Sequence, residues 1–295
     1  MNTLDGDKQK LERYSTGQTV SLLLGWATDF MQISKSLTSI STTVLDIKLK
    51  YSLEVIEIDN TQITLWGGDC LSLMNDIDDK SIDMILADLP YSNTRNSWDC
   101  MIPFDELWQQ YNRIIKDNGA IVLFCDGMFT AKLLLSNPKM WRYNLVWDKQ
   151  RGCDFLNANV KPLKSHEDIA VFYKKKPTYN KQYWYSEPYK RIKNGSLSTN
   201  YGLRKEAFSE SEDGRRNPLS VLSFPRDSER LHPTQKPVAL LEWLIKTYTN
   251  EGDIVLDNCC GSGSTGVACL NTNRRFLGIE LSDSYLQIAK ERLYV

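Results

Sequence analysis

Several common features are missing from this 295-residue chain, and each absence excludes a class of protein. It has two histidines and no Cys-x-x-Cys pair among its seven cysteines, so a zinc ribbon is not predicted. The odd number of cysteines also argues against a secreted, disulfide-held protein, and we expect a reducing cytoplasm. The polar N-terminus lacks the basic start and the apolar core of a signal peptide.

Long hydrophobic runs are absent too. The longest, residues 20–31, is interrupted by Ser21, Thr28 and Asp29, which makes it too short and too polar to cross a bilayer. A hydrophobic content of 41% with 36 basic and 37 acidic residues is typical of a globular protein. A chain of this length can bury about three quarters of its unfolded surface, so folding requires no disulfide or metal.

An overall excess of positive charge is absent, but one segment is strongly basic. The net charge is -1, yet residues 174–230 contain 13 Lys and Arg against 7 Asp and Glu, together with eight aromatic residues. This mixture is typical of nucleic-acid binding, because cations contact phosphates and rings stack on bases. The alternative interpretation is a solvated surface insertion whose aromatic residues belong to the core.

Hydrophobic patterning from residue 61 onward predicts an α/β protein with a mostly parallel sheet. Short apolar runs predict strands at residues 62–66, 82–87, 120–125, 144–147, 169–173, 254–256 and 276–279. Longer runs predict helices at residues 20–33, 104–115, 238–249, 265–270 and 284–293. We expect an N-terminal extension at 1–60, one half of the fold at 61–153, a polar insertion at 154–230 and the other half at 231–295.

A strand followed by a glycine-rich turn predicts a nucleoside-binding site. The apolar run 254–257 leads into Gly261 and Gly263, which allow close backbone approach to a ligand before a helix begins. The next predicted strand ends in Glu280, where a carboxylate can accept hydrogen bonds from two ribose hydroxyls. With Gly266 the loop also matches GxGxxG, so an NAD-dependent oxidoreductase is an alternative interpretation.

A second strand ends in a group suited to an amine. The Asp88 carboxylate and the Leu89 carbonyl can both accept hydrogen bonds from one amino group. Pro90 stiffens the turn, and Tyr91 offers a ring for stacking on a planar base. Two acceptors that favour a pyramidal nitrogen return its lone pair for attack on an electrophilic methyl group, and no covalent intermediate is required.

These segments resemble the motifs of amino-group DNA methyltransferases. Residues 88–91 are similar to the family's (Asp/Asn/Ser)-Pro-Pro-(Tyr/Phe/Trp) motif, and residues 257–265 to its S-adenosylmethionine loop. Residues 232–237, His-Pro-Thr-Gln-Lys-Pro, are similar to the motif that precedes that loop. The order of the motifs resembles the β class, which implies a circularly permuted Rossmann-like methyltransferase sheet with helices on both faces and an inserted target-recognition region.

The resemblance, which covers residues 61–295, implies a role for each matching residue. The implied cofactor-binding residues are Asp69, Thr234, Lys236, Asp257, Gly261, Ser262, Gly263, Thr265 and Glu280. The implied catalytic residues are Asp88, Leu89, Pro90 and Tyr91. Asp88 and the Leu89 carbonyl would hold the target amine, and Tyr91 would stack on the flipped base. Leu89 replaces the family's usual first proline, which keeps the carbonyl acceptor but makes the turn less rigid.

The resemblance implies an enzyme that methylates the 6-amino group of adenine in double-stranded DNA with S-adenosylmethionine as cofactor. Asp at position 88 is usual for adenine, whereas Ser is commoner for the 4-amino group of cytosine, which is the alternative target. Methylation at carbon 5 would need a cysteine after a proline, and none of the ten prolines precedes one. A catalytically silent DNA-binding module is a further alternative, and a homodimer is expected only at the level of the family.

Overall fold

The computed structural model describes residues 52–58, 61–92, 100–193, 196–198, 202–204, 207–228, 231 and 235–293. Within these residues nine strands form one sheet. They are β1 (Ser52–Ile58), β2 (Thr61–Gly67), β3 (Ile82–Ala87), β4 (Ile115–Cys125), β5 (Trp141–Cys153), β6 (Lys164–Phe172), β13 (Val221–Ser223), β14 (Ile254–Asp257) and β15 (Arg275–Glu280). The helices are α1 (Cys70–Met74), α2 (Phe104–Ile114), α3 (Gly127–Ser136), α4 (Val238–Tyr248), α5 (Ser264–Asn271) and α6 (Asp283–Leu293).

The strand directions gather the predicted motifs at one edge of the sheet. The order is β1-β2-β15-β14-β3-β4-β6-β5-β13, and the five strands from β2 to β4 are parallel. Their carboxyl ends therefore lie at the same edge. β6 runs antiparallel to both β4 and β5, so β6 begins and β5 ends at this edge as well. The predicted mostly parallel α/β sheet is confirmed, and the circular permutation stays a prediction.

Helices cover both faces of the sheet. Because successive side chains of a strand point to opposite faces, Val171 and Phe172 of β6 mark the two sides. Val171 belongs to a buried cluster that includes Leu244 of α4 and Leu293 of α6. On the other face the Trp108 ring of α2 lies 5.0 Å from the Phe172 ring. Each fully buried Leu or Phe contributes roughly 1.5–3 kcal/mol to folding, so both layers stabilise the sheet.

One glycine of the predicted nucleotide loop serves this packing. A Cβ on Gly266, in α5, would lie 2.9 Å from side-chain atoms of both Leu293 and Phe276. Real Cβ atoms essentially never lie this close to a neighbour, so a side chain at position 266 would force Leu293 and Phe276 to move. The third glycine of the GxGxxG pattern is thus explained by helix packing.

The predicted elements of the described region are confirmed, and several others were missed. All seven predicted strands and the four predicted helices beyond residue 100 are present, with ends that differ by a few residues for most and by up to six for the longer strands. The predicted helix at 20–33 lies outside the described residues. The prediction omitted β1, β13, α1 and α3. In the part of the chain that the structure describes, no helix is long and apolar enough to cross a membrane.

In the described part of the predicted insertion, the chain forms three antiparallel two-stranded ribbons separate from the central sheet. They pair β7 (Trp184–Tyr185) with β12 (Arg215–Arg216), β8 (Tyr189–Lys193) with β11 (Ala207–Ser211), and β9 (Ser196–Ser198) with β10 (Gly202–Arg204). Cations lie over rings here, since the Arg216 guanidinium is 4.4 Å from the centre of the Tyr189 ring. Trp184 and Tyr185 are exposed. The ribbons therefore present both charge and stacking surface.

Candidate active site

The two predicted motifs meet in one cavity of about 450 Å³ at the carboxyl edge of the parallel strands. Asp88 follows β3 and Gly261 follows β14, and these strands are neighbours in the sheet. The predicted site residues that line the cavity are Asp69, Asp88, Leu89, Pro90, Tyr91, Lys236, Asp257, Gly261, Ser262, Thr265 and Glu280. Thr234 lies outside the described residues. The structure therefore brings the predicted amine-binding motif and the glycine loop together.

Glu280, at the end of β15, holds the glycine loop in place. Its two carboxylate oxygens accept hydrogen bonds from the backbone N–H groups of Gly261, at 2.8 Å, and Ser282, at 2.9 Å. Burial raises the pKa of Glu280, and the backbone donors oppose that rise. Each oxygen retains a second lone pair, so the carboxylate can still accept hydrogen bonds from a ligand.

Gly263 does not line the cavity. Its backbone is left-handed, with φ of +77°, and a Cβ there would lie 3.2 Å from the Cβ of Ala289 in α6. A side chain would therefore be strained by the backbone and crowded by the helix. The need for glycine at position 263 is explained by the turn with which the chain enters α5. Cofactor contact by Gly263 stays a prediction.

Asp257, at the end of β14, is buried beneath the same loop. It accepts hydrogen bonds from the Thr265 hydroxyl, at 2.6 Å, and from the Cys259 backbone N–H, at 3.1 Å. Burial nevertheless raises the pKa of Asp257 to about 7, because a charge here is poorly solvated. The side chain braces the turn from strand to helix.

The raised pKa of Asp257 predicts a pH dependence of stability. The pKa is about 7 in the folded protein against an ordinary value of 3.8, so the unfolded chain ionises first and the free energy of unfolding falls between these pH values. At about 1.4 kcal/mol per pKa unit the loss approaches roughly 4 kcal/mol, and it levels off above pH 7. Asp257→Asn should remove this dependence. Urea unfolding between pH 5 and 8 tests the prediction: the free energy of unfolding of the wild type minus that of the variant should fall as the pH rises.

The matched control is Asp76→Asn, at an exposed position after α1. Its stability should follow the wild-type pH dependence throughout. A difference between wild type and Asp257→Asn that is constant with pH would contradict the assignment of this titration to Asp257.

Asp88 is held by two neighbours. The Tyr91 hydroxyl donates to Oδ1 of Asp88 at 2.7 Å, and the Lys236 ammonium forms an ion pair with Oδ2. Burial raises the pKa of Asp88, and the positive charge of Lys236 opposes that rise. The Tyr91 ring stacks on Phe129, with ring centres 4.6 Å apart and planes inclined by 28°. The carboxylate and the ring are thus fixed relative to each other.

Sequence reasoning gave no role in the site to two charged residues near Lys236: Glu167 and Lys149. The Lys236 ammonium lies 3.4 Å from Oε2 of Glu167, and Oε1 of Glu167 pairs with the ammonium of Lys149. Burial disfavours a charge on Glu167, but the two ammonium groups prevail and lower its pKa to about 2. Lys236, which the resemblance places near the cofactor, therefore contacts the predicted catalytic carboxylate.

Comparison with known families gives one match that covers most of the chain. A family model described as DNA methylase matches residues 82–291. Among curated proteins, DNA adenine methyltransferase YhdJ of Escherichia coli (strain K12) is 28% identical over 265 residues, covering 84% of this chain and 88% of the relative. Type II methyltransferase M.HpaI of Haemophilus parainfluenzae is 28% identical over 248 residues, covering 77% of this chain and 72% of the relative.

Solved structures agree with the fold. The chain is similar to M1.HpyAVI in its complex with SAM, with 29% identity and a TM-score of 0.54 over 78% of this chain and all of that one. It also resembles the cytosine-N4-specific PvuII DNA methyltransferase, with 14% identity and a TM-score of 0.57 over 78% of this chain and 86% of that one. At that identity the second likeness shows the fold alone.

Proposed function

We propose a function from the premise that this chain belongs to the DNA methylase family, whose model matches residues 82–291. It transfers a methyl group from S-adenosylmethionine to the 6-amino group of adenine in double-stranded DNA. The observation that carries this proposal is the shared cavity, since an amine-binding group at the end of β3 faces the glycine loop after β14. A nucleoside cofactor and a target base can therefore meet there.

The cavity fits S-adenosylmethionine in size and charge. Its volume of about 450 Å³ is in the range of small-molecule sites. The carboxylic acids that line it are Asp69, Asp88, Glu167, Asp227, Asp257 and Glu280, and the lining Lys and Arg residues are Arg226 and Lys236. An excess of carboxyl groups suits a positively charged sulfonium. When bound, the cofactor supplies an electrophilic methyl group, while Glu280 would hold the ribose and Asp69 the adenine ring.

The residues after β3 prepare the amine. The Asp88 carboxylate and the Leu89 carbonyl would accept hydrogen bonds from the two N–H groups of the amine. This geometry draws the nitrogen lone pair out of conjugation with the base. The Tyr91 hydroxyl orients the Asp88 carboxylate, and the Tyr91 ring would stack on the base. A base inside a duplex cannot reach this cavity, so it must be flipped out, which costs a few kcal/mol that stacking offsets in part.

Adenine is supported as the target by two observations. Asp88 carries the side chain that is usual for adenine in the resembled family, and the relative YhdJ is named a DNA adenine methyltransferase. DNA is supported as the substrate by the ribbons, whose cations and exposed aromatic rings suit phosphates and bases. The homodimer stays a prediction from the family.

Methyl transfer from labelled cofactor tests this function. We expect the purified chain to label unmodified genomic DNA, and nucleoside analysis to find the label on N6-methyladenine. The blank is the Asp88→Ala variant under the same conditions. Label on N4-methylcytosine alone would overturn the base assignment. Salt-dependent DNA binding without label, or thermal stabilisation by NAD and not by S-adenosylmethionine, would overturn the activity.

A further inference from the structure

Four charges, two of them on buried lysines and two on partly buried acids, form a continuous row at the catalytic end of the cavity. Asp88 pairs with Lys236, Lys236 with Glu167, and Glu167 with Lys149. Lys236 and Lys149 are only 7% and 4% exposed, so neither ammonium is well solvated. Buried charges are tolerated when they alternate in sign and lie in contact, as they do here.

The position of Lys236 conflicts with the role of Asp88. Its ammonium pairs with Oδ2, one of the oxygens that would receive the target amine. A carboxylate that already binds an ammonium is a weaker acceptor for a neutral amine. The amine nitrogen also gains positive charge as it bonds to the methyl group, and an adjacent ammonium opposes that charge. Withdrawal of Lys236 from Asp88 would therefore favour methyl transfer.

Glu167 is placed to receive it. Its Oε2 lies 3.4 Å from the Lys236 ammonium, which is ion-pair distance without a close hydrogen bond. Its other oxygen is held by Lys149, so the carboxylate is fixed in place. The Lys236 ammonium also lies 5.0 Å from the centre of the Phe124 ring, which favours a cation. A short shift of the Lys236 ammonium toward Oε2 would form a close, charge-assisted hydrogen bond with Glu167.

We propose that Glu167 is a positioning residue that takes Lys236 from Asp88 when the target amine arrives. In the DNA-free enzyme the ammonium occupies the place of the amine on Asp88, and in the reacting complex it pairs with Glu167. The substrate amine then donates a hydrogen bond to Asp88, and the charge of the nearby Lys236 ammonium is balanced by Glu167. No proton is transferred in this exchange. The inference rests on the proposed function, because it assigns Asp88 to the target amine.

The experiment is a double-mutant cycle between Glu167 and Lys236. Glu167→Gln keeps an acceptor for Lys149 but removes the charge that attracts Lys236. We expect single-turnover methyl transfer at saturating DNA to fall by at least about 10-fold, with the cofactor dissociation constant within about twofold. In a Lys236→Met background there is no ammonium to withdraw, so the same substitution should change the rate by less than about twofold.

The control is Glu242→Gln, which removes an ion pair with Lys246 on α4 away from the cavity and should leave the rate unchanged. If Glu167→Gln does not fold, Glu167→Asp serves, since it keeps the charge and shortens the reach, and Lys236→Met should cancel its defect too. Equal losses in both backgrounds, or a Glu167→Gln enzyme with normal rate, overturn the inference alone. A wild-type chain that transfers no methyl group overturns the proposed function and this inference with it.

Discussion

Asp88→Ala is expected to reduce methyl transfer by about 1,000-fold, the effect of removing a preorganised group from a charge-developing transition state. The carboxylate accepts a hydrogen bond from the Tyr91 hydroxyl and forms an ion pair with the Lys236 ammonium. Asp88 and Leu89 both line the cavity. Alanine leaves the amine one acceptor where two are needed. The glycine loop and Glu280 keep their contacts, so the affinity for S-adenosylmethionine should change by no more than about twofold.

The measurement is single-turnover transfer of labelled methyl groups, with cofactor affinity from calorimetry. Asp88→Asn retains one carboxamide oxygen as acceptor, and we expect an intermediate loss. Asp76→Ala, at an exposed position, is the matched control and should be fully active. Near-normal turnover by Asp88→Ala would refute the assignment of Asp88. Loss of cofactor binding with normal folding would instead place Asp88 in the cofactor site.

The sequence was sufficient to predict where the cavity lies because the relevant groups end parallel strands. Asp88 and the loop at Gly261 follow apolar runs that became β3 and β14, and Glu280 ends β15. Parallel strands finish at a common edge, so three separate motifs predict one site without any knowledge of side-chain contacts. The packing role of Gly263 and Gly266 was less accessible, since it depends on how closely α6 approaches.

Glu167 and Lys149 could not be predicted because their positions depend on strand direction. Glu167 precedes the apolar end of β6, which reads like any other buried strand, and only its antiparallel pairing with β4 brings it to the catalytic edge. Lys149 reaches that edge because β5 extends to Cys153, well beyond the predicted strand end at 147. The available signal was weak: a carboxylate two residues before a buried run. Lys236 and its partner Glu167 are far apart in the sequence, so their contact could be recognised only from the tertiary structure.

The ribbons and two of the helices were missed for a different reason. α1 has five residues, and α3 buries only Phe129 and Leu133, so neither offers a long periodic pattern. The ribbon strands are two to five residues long and largely polar, which leaves no alternation to read. Composition predicted the chemistry of the insertion, whereas its backbone conformation required the structure.

Glu280→Ala is expected to weaken the binding of S-adenosylmethionine by at least about 100-fold, because two roles are lost together. The carboxylate fixes the Gly261 and Ser282 amides, and it is the proposed ribose acceptor. Hydrogen bonds to a charged group contribute about 1.5–3 kcal/mol each, and about 1.4 kcal/mol corresponds to a tenfold change in affinity. Glu280→Gln should also bind poorly, since its amide would direct N–H groups at a backbone N–H.

A ribose analogue separates the two roles of Glu280. The wild-type chain should bind S-adenosylhomocysteine more tightly than its 2′-deoxy analogue, and Glu280→Ala should bind both equally weakly. Glu291→Ala, on the exposed side of α6, is the control and should keep the wild-type preference. If Glu280→Ala retained the preference while losing affinity, the carboxylate would only brace the loop and another group would hold the ribose. Unchanged affinity would contradict both roles, since the loop that Glu280 anchors is the wall on which the nucleoside must rest.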